Sequence, residues 1–334
     1  MGRRANAFLL GLMGMAFLTG WLAFGLGTAP ARWSLVVHAT SGVAVVLLTP
    51  WKSAAARHGM ERRRRGWWAS IALAVLVLAS VVAGIAHSTG LLRSWGDWTA
   101  ITVHVGAALL AVPLALWHVV ARPVVLRRTD FARRRLLQGG AVLAGAAGLY
   151  AASEGIVRLG SLPGSRRRFT GSYDTGAFDP GLLPATSWLL DGPPAVDRGH
   201  WRLTVRDGTG LKSWSLAELA RFDDRLDATL DCTGGFYSTQ AWAGARLDRL
   251  ISDPGDALSF EVRSSTGYAR RFPVEDLGRL LLATRLGGVE LDAGHGFPLR
   301  LVAPDRRGFW WVKWVASIHL DATPAWWQLP FPIQ

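Results

Sequence analysis

The sequence predicts an N-terminal all-α bundle of five membrane spans followed by a C-terminal α+β domain. Long uncharged apolar runs fill most of the first 153 positions of the 334-residue chain, and its net positive charge is confined to the first 135. Short alternating strand patterns begin near His200. We therefore expect a four-span membrane domain at 1–135, a fifth span at 136–153, a lead-in segment at 154–199 and a folded domain at 200–334.

The apolar runs have the lengths of membrane helices. A bilayer core about 30 Å thick needs roughly 20 apolar residues in a helix, and four of the five runs reach or approach that length. The fifth is shorter and rich in Gly and Ala. A buried soluble helix is the alternative for one such run, but four in succession favour a membrane domain. The runs cover residues 5–31, 33–51, 66–92, 98–121 and 136–153.

The net charge of +13 indicates membrane topology and excludes nucleic acid as the expected partner. The first 135 residues hold 16 Lys and Arg against 3 Asp and Glu, whereas the two signs cancel in the rest. Short basic loops stay on the cytoplasmic side of a membrane. Alternate loops hold 14 basic residues on one side, including residues 62–65, Arg122, Arg127 and Arg128, and 2 on the other. We expect a multi-pass protein of the cell's inner (cytoplasmic) membrane, with a cytoplasmic N-terminus and an extracytoplasmic C-terminal domain.

The fifth span begins with a run of arginines. Arg133-Arg134-Arg135-Leu136-Leu137 before a Gly/Ala-rich stretch resembles an internal twin-arginine export signal, which carries folded, cofactor-loaded domains across membranes. Ala132 and Gln138 depart from the residues usual at its flanks, and a plain positive-inside flank is the alternative. No small-residue cleavage site follows, so we expect the helix to remain as an anchor.

The C-terminal domain mixes strand patterns with short helical ones and shows no regular βαβ alternation. This mixture favours an α+β fold over a doubly wound sheet. The strand patterns lie at residues 201–205, 228–231, 258–262 and 299–303, and the helical ones at 216–219, 247–251 and 274–282.

Cys232 is the only cysteine, so no intramolecular disulfide is possible. It follows a predicted strand and precedes Thr233-Gly234-Gly235, where the glycines let another group approach the backbone. A small buried hydrophobe is the commonest role of a free cysteine. A catalytic nucleophile and a thiolate ligand for a transition metal are the functional alternatives. Spacing alone leaves all three open.

Two stretches resemble signatures of the sulfite oxidase family of molybdopterin oxidoreductases. The first is 230–250, around Cys232; the second is 294–304, which begins Gly294-His295-Gly296-Phe297-Pro298 and continues through 308–315. The resemblance covers roughly residues 185–321 and implies an α+β sulfite-oxidase-like domain. It also implies that Cys232 supplies a thiolate to molybdenum, within a cofactor segment that includes Thr233 and Gly234.

The second signature implies the residues that bind the pterin. By resemblance, His295, Arg300 and Lys313 bind the pterin and its phosphate. Their chemistry suits this role, because Arg grips phosphate with two parallel donors and Lys acts as a point charge. A solvated surface charge is the general alternative for each.

The resemblance implies oxygen-atom transfer, with two departures from the sulfite oxidases. Gly235-Phe236-Tyr237 stands where those enzymes have an Asn-Arg-Arg run that helps to hold sulfite, and the chain ends at Gln334 without their C-terminal dimerisation domain. Both features resemble more closely the bacterial periplasmic methionine sulfoxide reductase catalytic subunits. We therefore expect a monomer acting on a small sulfoxide-like molecule or another oxyanion. Tyr237 is a candidate catalytic residue, with core packing as its alternative.

Histidines in the predicted spans suggest a second cofactor, because ionisable groups inside membranes are usually functional. At 1.5 Å per residue, His38 and His104 both lie about 8–9 Å below the outer ends of their helices. We predict a b-type haem between them, with His87 as a substitute ligand, relaying electrons between the quinone pool or another carrier and the molybdenum. Hydrogen bonding between helices is the alternative.

Two other classes of function fit parts of the sequence. An extracytoplasmic cysteine hydrolase or transpeptidase needs only Cys232 activated by an imidazole such as His295 or His319. It does not account for the order of the two signatures. A non-catalytic membrane electron carrier, whose outer domain has lost its cofactor, is disfavoured by the intact Cys232.

Overall fold

The computed structural model describes residues 2–61, 67–96, 98–121, 133–188 and 191–331. The chain divides into two compact units. The helical unit comprises Met1–Phe24 and Ala29–Tyr173, and the sheet unit comprises Gly25–Thr28 and Asp174–Gln334.

Five long helices dominate the helical unit, in agreement with the five predicted apolar runs. All five are long and apolar enough to cross a membrane. A short hairpin, β1 (Ser94–Trp95) with β2 (Trp98–Thr99), connects the third helix to the fourth. The helices are α1 (Gly2–Gly25), α2 (Arg32–Glu61), α3 (Trp67–Thr89), α4 (Ala100–Ala121) and α5 (Arg133–Leu159).

The surface of the helical unit is strongly apolar. On α3, for example, Leu78, Val82 and Ile85 are each more than half exposed. Large exposed apolar surfaces of this kind indicate contact with lipid or with another protein. A small cluster that includes Leu12, Ala44 and Ala146 joins α1, α2 and α5. The basic loop residues 62–65, Arg122, Arg127 and Arg128 lie outside the described residues, so the charge asymmetry remains a prediction.

The fifth helix is longer than the predicted span. It continues from residue 153 to Leu159, so the predicted lead-in segment 154–199 begins inside a helix. The ionisable Glu154 marks the end of the uncharged run in the sequence. In the structure, however, Glu154 forms an ion pair with Arg167, which offsets the cost of placing a carboxylate in the helix. The arginine motif 133–135 forms the first turn of this helix.

Two sheets and short helices build the sheet unit, as the predicted α+β class requires. The strands are β3 (Tyr173–Asp174, at the boundary between the units), β4 (Arg202–Asp207), β5 (Gly210–Ser215), β6 (Asp224–Asp231), β7 (Phe236–Arg246), β8 (Ser259–Ser264), β9 (Ala269–Pro273), β10 (Leu281–Leu286), β11 (Val289–Glu290), β12 (Arg300–Val302) and β13 (Val315–Asp321). Two single-turn helices, α6 (Leu216–Leu219) and α7 (Leu247–Leu250), match predicted helical patterns.

One sheet has the strand order β11-β10-β7-β3, with β12 also paired to β10 and β6 to β7. The other has the order β5-β4-β13-β8-β9, in which only β13 and β4 run parallel. The predicted strands at 201–205, 258–262 and 299–303 match β4, β8 and β12 to within two residues at their ends. The strand predicted at 228–231 ends with β6, which begins four residues earlier. The two sheets enclose a core whose largest fully buried side chains are Trp242, Trp314, Phe260 and Phe272.

The helical prediction for residues 274–282 was wrong beyond its first turns. Residues Val274–Arg279 form a 3₁₀ helix, and the chain then enters β10. Leu281 and Leu282 are fully buried between β7 and β12. Sheet pairing on both sides of β10 outweighs the local helical periodicity of this segment.

Candidate functional site: the Cys232 hairpin and the cations beside it

Cys232 lies in the turn between β6 and β7. Its N–H donates to the Phe236 carbonyl (2.8 Å), and its carbonyl accepts from the Gly235 N–H (3.1 Å), which closes the turn. The Gly234 N–H donates to the Cys232 Sγ at 3.3 Å, and the Thr186 Oγ1 lies 3.6 Å from the same sulfur. The sulfur, which is the atom that would bind a metal, thus has a backbone donor and a hydroxyl beside it. Thr186 was not among the residues singled out from the sequence.

A buried ion pair fixes the backbone at Cys232. Arg307 bonds to the Asp231 carboxylate, and only 3% and 5% of the two side chains are exposed. The Arg307 Nη2 also donates to the carbonyl of Cys232 at 3.3 Å. A Cβ on Gly308 would lie 3.1 Å from the Cys232 Cα, so a glycine is needed for this close packing. Sequence reasoning missed Arg307, because nothing local links two residues 76 positions apart.

The buried Arg300 and the half-buried Lys313 form a cationic cluster. Arg300 is 3% exposed, donates from Nη1 to the His295 carbonyl (3.0 Å), and its buried Nε has no hydrogen-bond partner. Its guanidinium lies over Trp242, 5.2 Å from the ring centre. The Lys313 Nζ donates to the Gly294 carbonyl. Within the described part of the chain, neither cation forms an ion pair with a carboxylate.

Burial makes both charges costly. Desolvation lowers the pKa of the Arg300 guanidinium to about 10. Desolvation, followed by the neighbouring charge of Arg300, lowers the pKa of the Lys313 ammonium to about 7. Gly296 allows the two side chains to converge, because a Cβ there would lie 3.2 Å from the Arg300 Cβ and 3.3 Å from the Lys313 Cβ. The cluster is therefore an electropositive site suited to an anion.

The His295 ring is held by the protein on both sides. Its Nδ1 lies 2.7 Å from the Asp292 carboxylate, and its Nε2 lies 2.9 Å from the Leu183 carbonyl. Burial raises the pKa of Asp292, but hydrogen bonds from the side chain and backbone of His295 outweigh this effect and lower it. His295 reaches the cationic cluster through its backbone carbonyl, which accepts from Arg300.

Thr233 and Tyr237 belong to the same hairpin as Cys232. Thr233 is half-buried in the turn, and Tyr237 is half-buried on β7, opposite Asp231 in the β6–β7 ladder. The Tyr237 carbonyl accepts from the Thr175 N–H at 3.1 Å, which fixes the backbone that carries the phenol. The hairpin thus brings Tyr237 and Cys232 to the same end of the sheet.

His38 and His104 face each other inside the helical unit. Their ring centres are 5.6 Å apart and their planes nearly perpendicular, at 87°. The His38 Nδ1 lies 2.7 Å from the Ala16 carbonyl on α1, and the His104 Nδ1 lies 2.7 Å from the Ser80 carbonyl on α3. If each Nδ1 donates to its carbonyl, each Nε2 keeps a lone pair. Neither Nε2 has a hydrogen-bond partner among the described residues.

His87 has a different environment. Its Nε2 bonds to the Gly171 carbonyl (2.9 Å), and its ring packs edge-on against Tyr173. His319, on β13, is half exposed and lies beside Asp321. Neither His295 nor His319 is hydrogen-bonded to the Cys232 thiol among the described residues. The geometry therefore gives the cysteine hydrolase alternative no activating imidazole.

Comparisons with known proteins agree with this site. Residues 191–327 match the family described as the oxidoreductase molybdopterin binding domain. The chain is 32% identical to the sulfite oxidase of Gallus gallus over 40% of this chain and 38% of that protein. It is 29% identical to the mitochondrial sulfite oxidase of Rattus norvegicus over 40% of this chain and 32% of that protein. The C-terminal domain is a molybdopterin oxidoreductase domain of the sulfite oxidase type.

The molybdopterin domain covers part of this chain, and the chain spans about a third of the length of those sulfite oxidases. Among solved structures, the sulfane dehydrogenase SoxCD from Paracoccus pantotrophus is 21% identical over 40% of this chain and 41% of that chain, with a TM-score of 0.37.

The residues present fit a molybdopterin. The cofactor is anionic through its phosphate, and the Arg300–Lys313 cluster offers two cations that form no ion pair with a carboxylate of the described residues. The buried one, Arg300, also has an N–H without a hydrogen-bond partner. Cys232 offers a half-buried sulfur that already accepts a backbone hydrogen bond. Soft thiolate ligands suit a transition metal.

Proposed function

We propose that this chain is a membrane-anchored, molybdopterin-dependent oxidoreductase that transfers an oxygen atom to or from a small extracytoplasmic substrate. The observation that carries the proposal is the combination, in a domain of this family, of the Cys232 thiol at a hairpin turn with the buried Arg300 and the half-buried Lys313. A structural cysteine would need neither a donor aimed at its sulfur nor unpaired cations in the same fold.

The protein's own residues position and charge this site. Cys232 supplies the sulfur ligand, and the Gly234 N–H donates a hydrogen bond to that sulfur. Arg300 and Lys313 hold the phosphate, and His295 orients Arg300 through its carbonyl. Asp231 and Arg307 keep the cysteine backbone in place. The bound molybdenum supplies the two-electron oxygen transfer, which no side chain here can perform.

We propose a sulfoxide-like substrate. Residues 235–237, beside the cysteine, carry no cation, so this turn has no direct partner for an oxyanion such as sulfite. Tyr237 is the polar side chain of that segment, and its hydroxyl is suited to donate a hydrogen bond to a neutral S=O oxygen. Sulfite, which the names of the rat and chicken relatives suggest, is the second candidate.

We further propose that His38 and His104 hold a b-type haem. The two rings face each other with centres 5.6 Å apart, so they could hold one metal group between them. When each Nδ1 donates to the carbonyl of Ala16 or Ser80, each Nε2 keeps the lone pair that would bind the iron. Such a haem would carry electrons between a membrane carrier, such as quinone, and the molybdopterin domain. His87 is the less suitable ligand, because Gly171 occupies its Nε2.

The proposed location is the cytoplasmic membrane, with the molybdopterin domain outside. Five apolar helices and the basic loops of the sequence support this topology, and the arginine motif at the start of α5 fits export of a folded domain. Adding a single cysteine to one end or the other of the Cys232→Ser chain, and labelling intact cells with a membrane-impermeant thiol reagent, tests it. A labelled N-terminus or a protected C-terminus would refute the proposed orientation.

Elemental analysis tests the central proposal. The protein is produced in a host that makes molybdopterin, purified in detergent, and compared with Cys232→Ser. We expect near-stoichiometric molybdenum in the wild type. In the variant we expect metal to remain, because the pterin anchors it, while sulfoxide reduction with an artificial donor is lost. Well-folded wild-type protein without molybdenum would refute the proposal.

A reduced-minus-oxidised spectrum tests the haem. We expect the absorption bands of a b-type haem in the wild type and in His87→Ala, and their loss in His38→Ala and His104→Ala. A wild-type protein without haem bands would refute the haem, and loss of the bands only in His87→Ala would reassign the ligand.

A further inference from the structure

A cleft of about 450 Å³ lies between α2 and α5 in the helical unit. Val36, Thr40, Ala147 and Ala151 give it mainly small and apolar walls. Glu154 and Arg158 lie toward the end of α5 that the proposed topology places outside. Small side chains on α5 make the space, since Gly155 also lines it.

The polar groups of the cleft are unusual for a membrane helix. Glu154 is an ionisable residue inside an apolar helix, where such residues are costly and usually functional. Arg167 pairs with its Oε1, and no partner of Oε2 is seen among the described residues. Tyr150 adds a hydroxyl to the lining one turn deeper. An acceptor and a donor therefore border an apolar slot.

The cleft lies on the opposite side of α2 from His38. Val36 and Thr40 are each two residues from His38, which is about 200° of helix rotation. The cleft and the His38–His104 pair are thus separated by about one helix diameter, roughly 10 Å. A ligand here would be near the proposed haem without contacting it.

We propose that this cleft binds the ring of an isoprenoid quinone. The inference rests on the proposed function, because a membrane-bound molybdopterin enzyme needs a lipid-soluble redox partner. The flat ring would lie between Val36 and Thr40 of α2 and the alanines of α5, with its tail in the lipid. The Tyr150 hydroxyl donates to one ring oxygen, and the Glu154 carboxylate accepts from a quinol hydroxyl. A phospholipid is the alternative occupant, with its phosphate near Arg158.

Photolabelling of the full chain tests the site. The holoenzyme is placed in nanodiscs of synthetic phosphatidylcholine free of quinone, incubated with an azido-substituted decylubiquinone, and irradiated. We expect the label on the α5 peptide that contains residues 147–158, with competition by unmodified decylubiquinone. The proposal would be overturned if excess phosphatidylcholine suppressed the labelling and decylubiquinone did not. Labelling elsewhere in the chain would also overturn it.

Adjacent alanines provide matched variants. Ala151 lines the cleft and Ala152 does not, and both are exposed on α5. Ala151→Leu should reduce labelling about tenfold through overpacking of the slot, while Ala152→Leu leaves it unchanged. Ala147→Leu repeats the test deeper in the same wall if Ala151→Leu does not insert. Equal labelling in all variants would overturn the proposal.

Two controls separate this inference from the proposed function. Molybdenum content does not depend on quinone, and reduced methyl viologen supplies electrons without it. Ala151→Leu should therefore keep its molybdenum and its viologen-driven activity while losing decylubiquinol-driven activity. A protein with molybdenum and viologen activity that takes no label refutes the quinone site alone. A labelled protein without molybdenum refutes the proposed function and leaves the quinone site standing.

Discussion

Replacing Arg307 with methionine removes one partner of a buried ion pair and leaves the other in place. The Asp231 carboxylate, with 5% of its side chain exposed, would lose the guanidinium that neutralises it. Cys232 would lose the Nη2 donor at its carbonyl. Methionine fills a similar volume, so the change mainly tests charge and hydrogen bonding.

Breaking such a pair costs about 3–5 kcal/mol, because the remaining charge is buried and uncompensated. For a unit of this size each kcal/mol lowers the midpoint by roughly 2–4 °C, so we expect a shift of roughly 6–20 °C. Asp231→Leu combined with Arg307→Met removes both charges and should recover most of the loss. Arg225→Met, on the same strand β6, removes an exposed pair with Asp223 and should cost about 1 kcal/mol or less.

The measurement must report on the sheet unit alone, because the chain has two units. Heating the detergent-purified full chain, followed by a short protease pulse and peptide mass spectrometry, gives a midpoint from peptides of residues 200–331. Molybdenum content of the same samples reports on the site. If Arg307→Met costs no more than Arg225→Met, or if the double variant is worse than the single one, the reasoning from buried charge is refuted.

Three further changes test the cationic cluster and the backbone beside it. Arg300→Lys should lower molybdenum content about tenfold, because an ammonium lacks the planar guanidinium that binds phosphate with two parallel donors. Arg279→Lys, at an exposed site, should not lower it. Equal losses in the two variants would contradict a role of Arg300 in binding the cofactor. Because burial lowers the pKa of Lys313 to about 7, the ammonium is lost as pH rises through 7. Sulfate, whose charge does not change between pH 6 and pH 8, should therefore bind cofactor-free protein more weakly at pH 8 by calorimetry, and Lys313→Met should flatten that difference. A wild type with equal affinity at both pH values would argue against an ammonium that titrates in this range. Gly296→Ala, at a φ of +112°, should cost about 1–3 kcal/mol by the protease assay, and an unchanged midpoint would show that the backbone can relax.

Features that depend on local pattern could be predicted from the residues alone. Uncharged runs of helical length form α1–α5. Alternating apolar and polar residues form strands such as β4 and β8, because a strand with one buried face has a residue period of two. The two signatures around Cys232 and His295 indicated the cofactor class. Counting residues also placed His38 and His104 at one depth, and the structure brings their rings to 5.6 Å.

The long-range partners could be found only in the folded chain. The bond between Asp231 and Arg307 joins residues 76 positions apart, and the ion pair of Glu154 with Arg167 lets α5 continue past the predicted end of its span. Pairing with β7 and β12 turned part of the predicted helix at 274–282 into β10. Periodicity states which face of a segment is buried. The partner of a buried charge depends on how the whole chain packs, so a local sequence pattern cannot predict that partner.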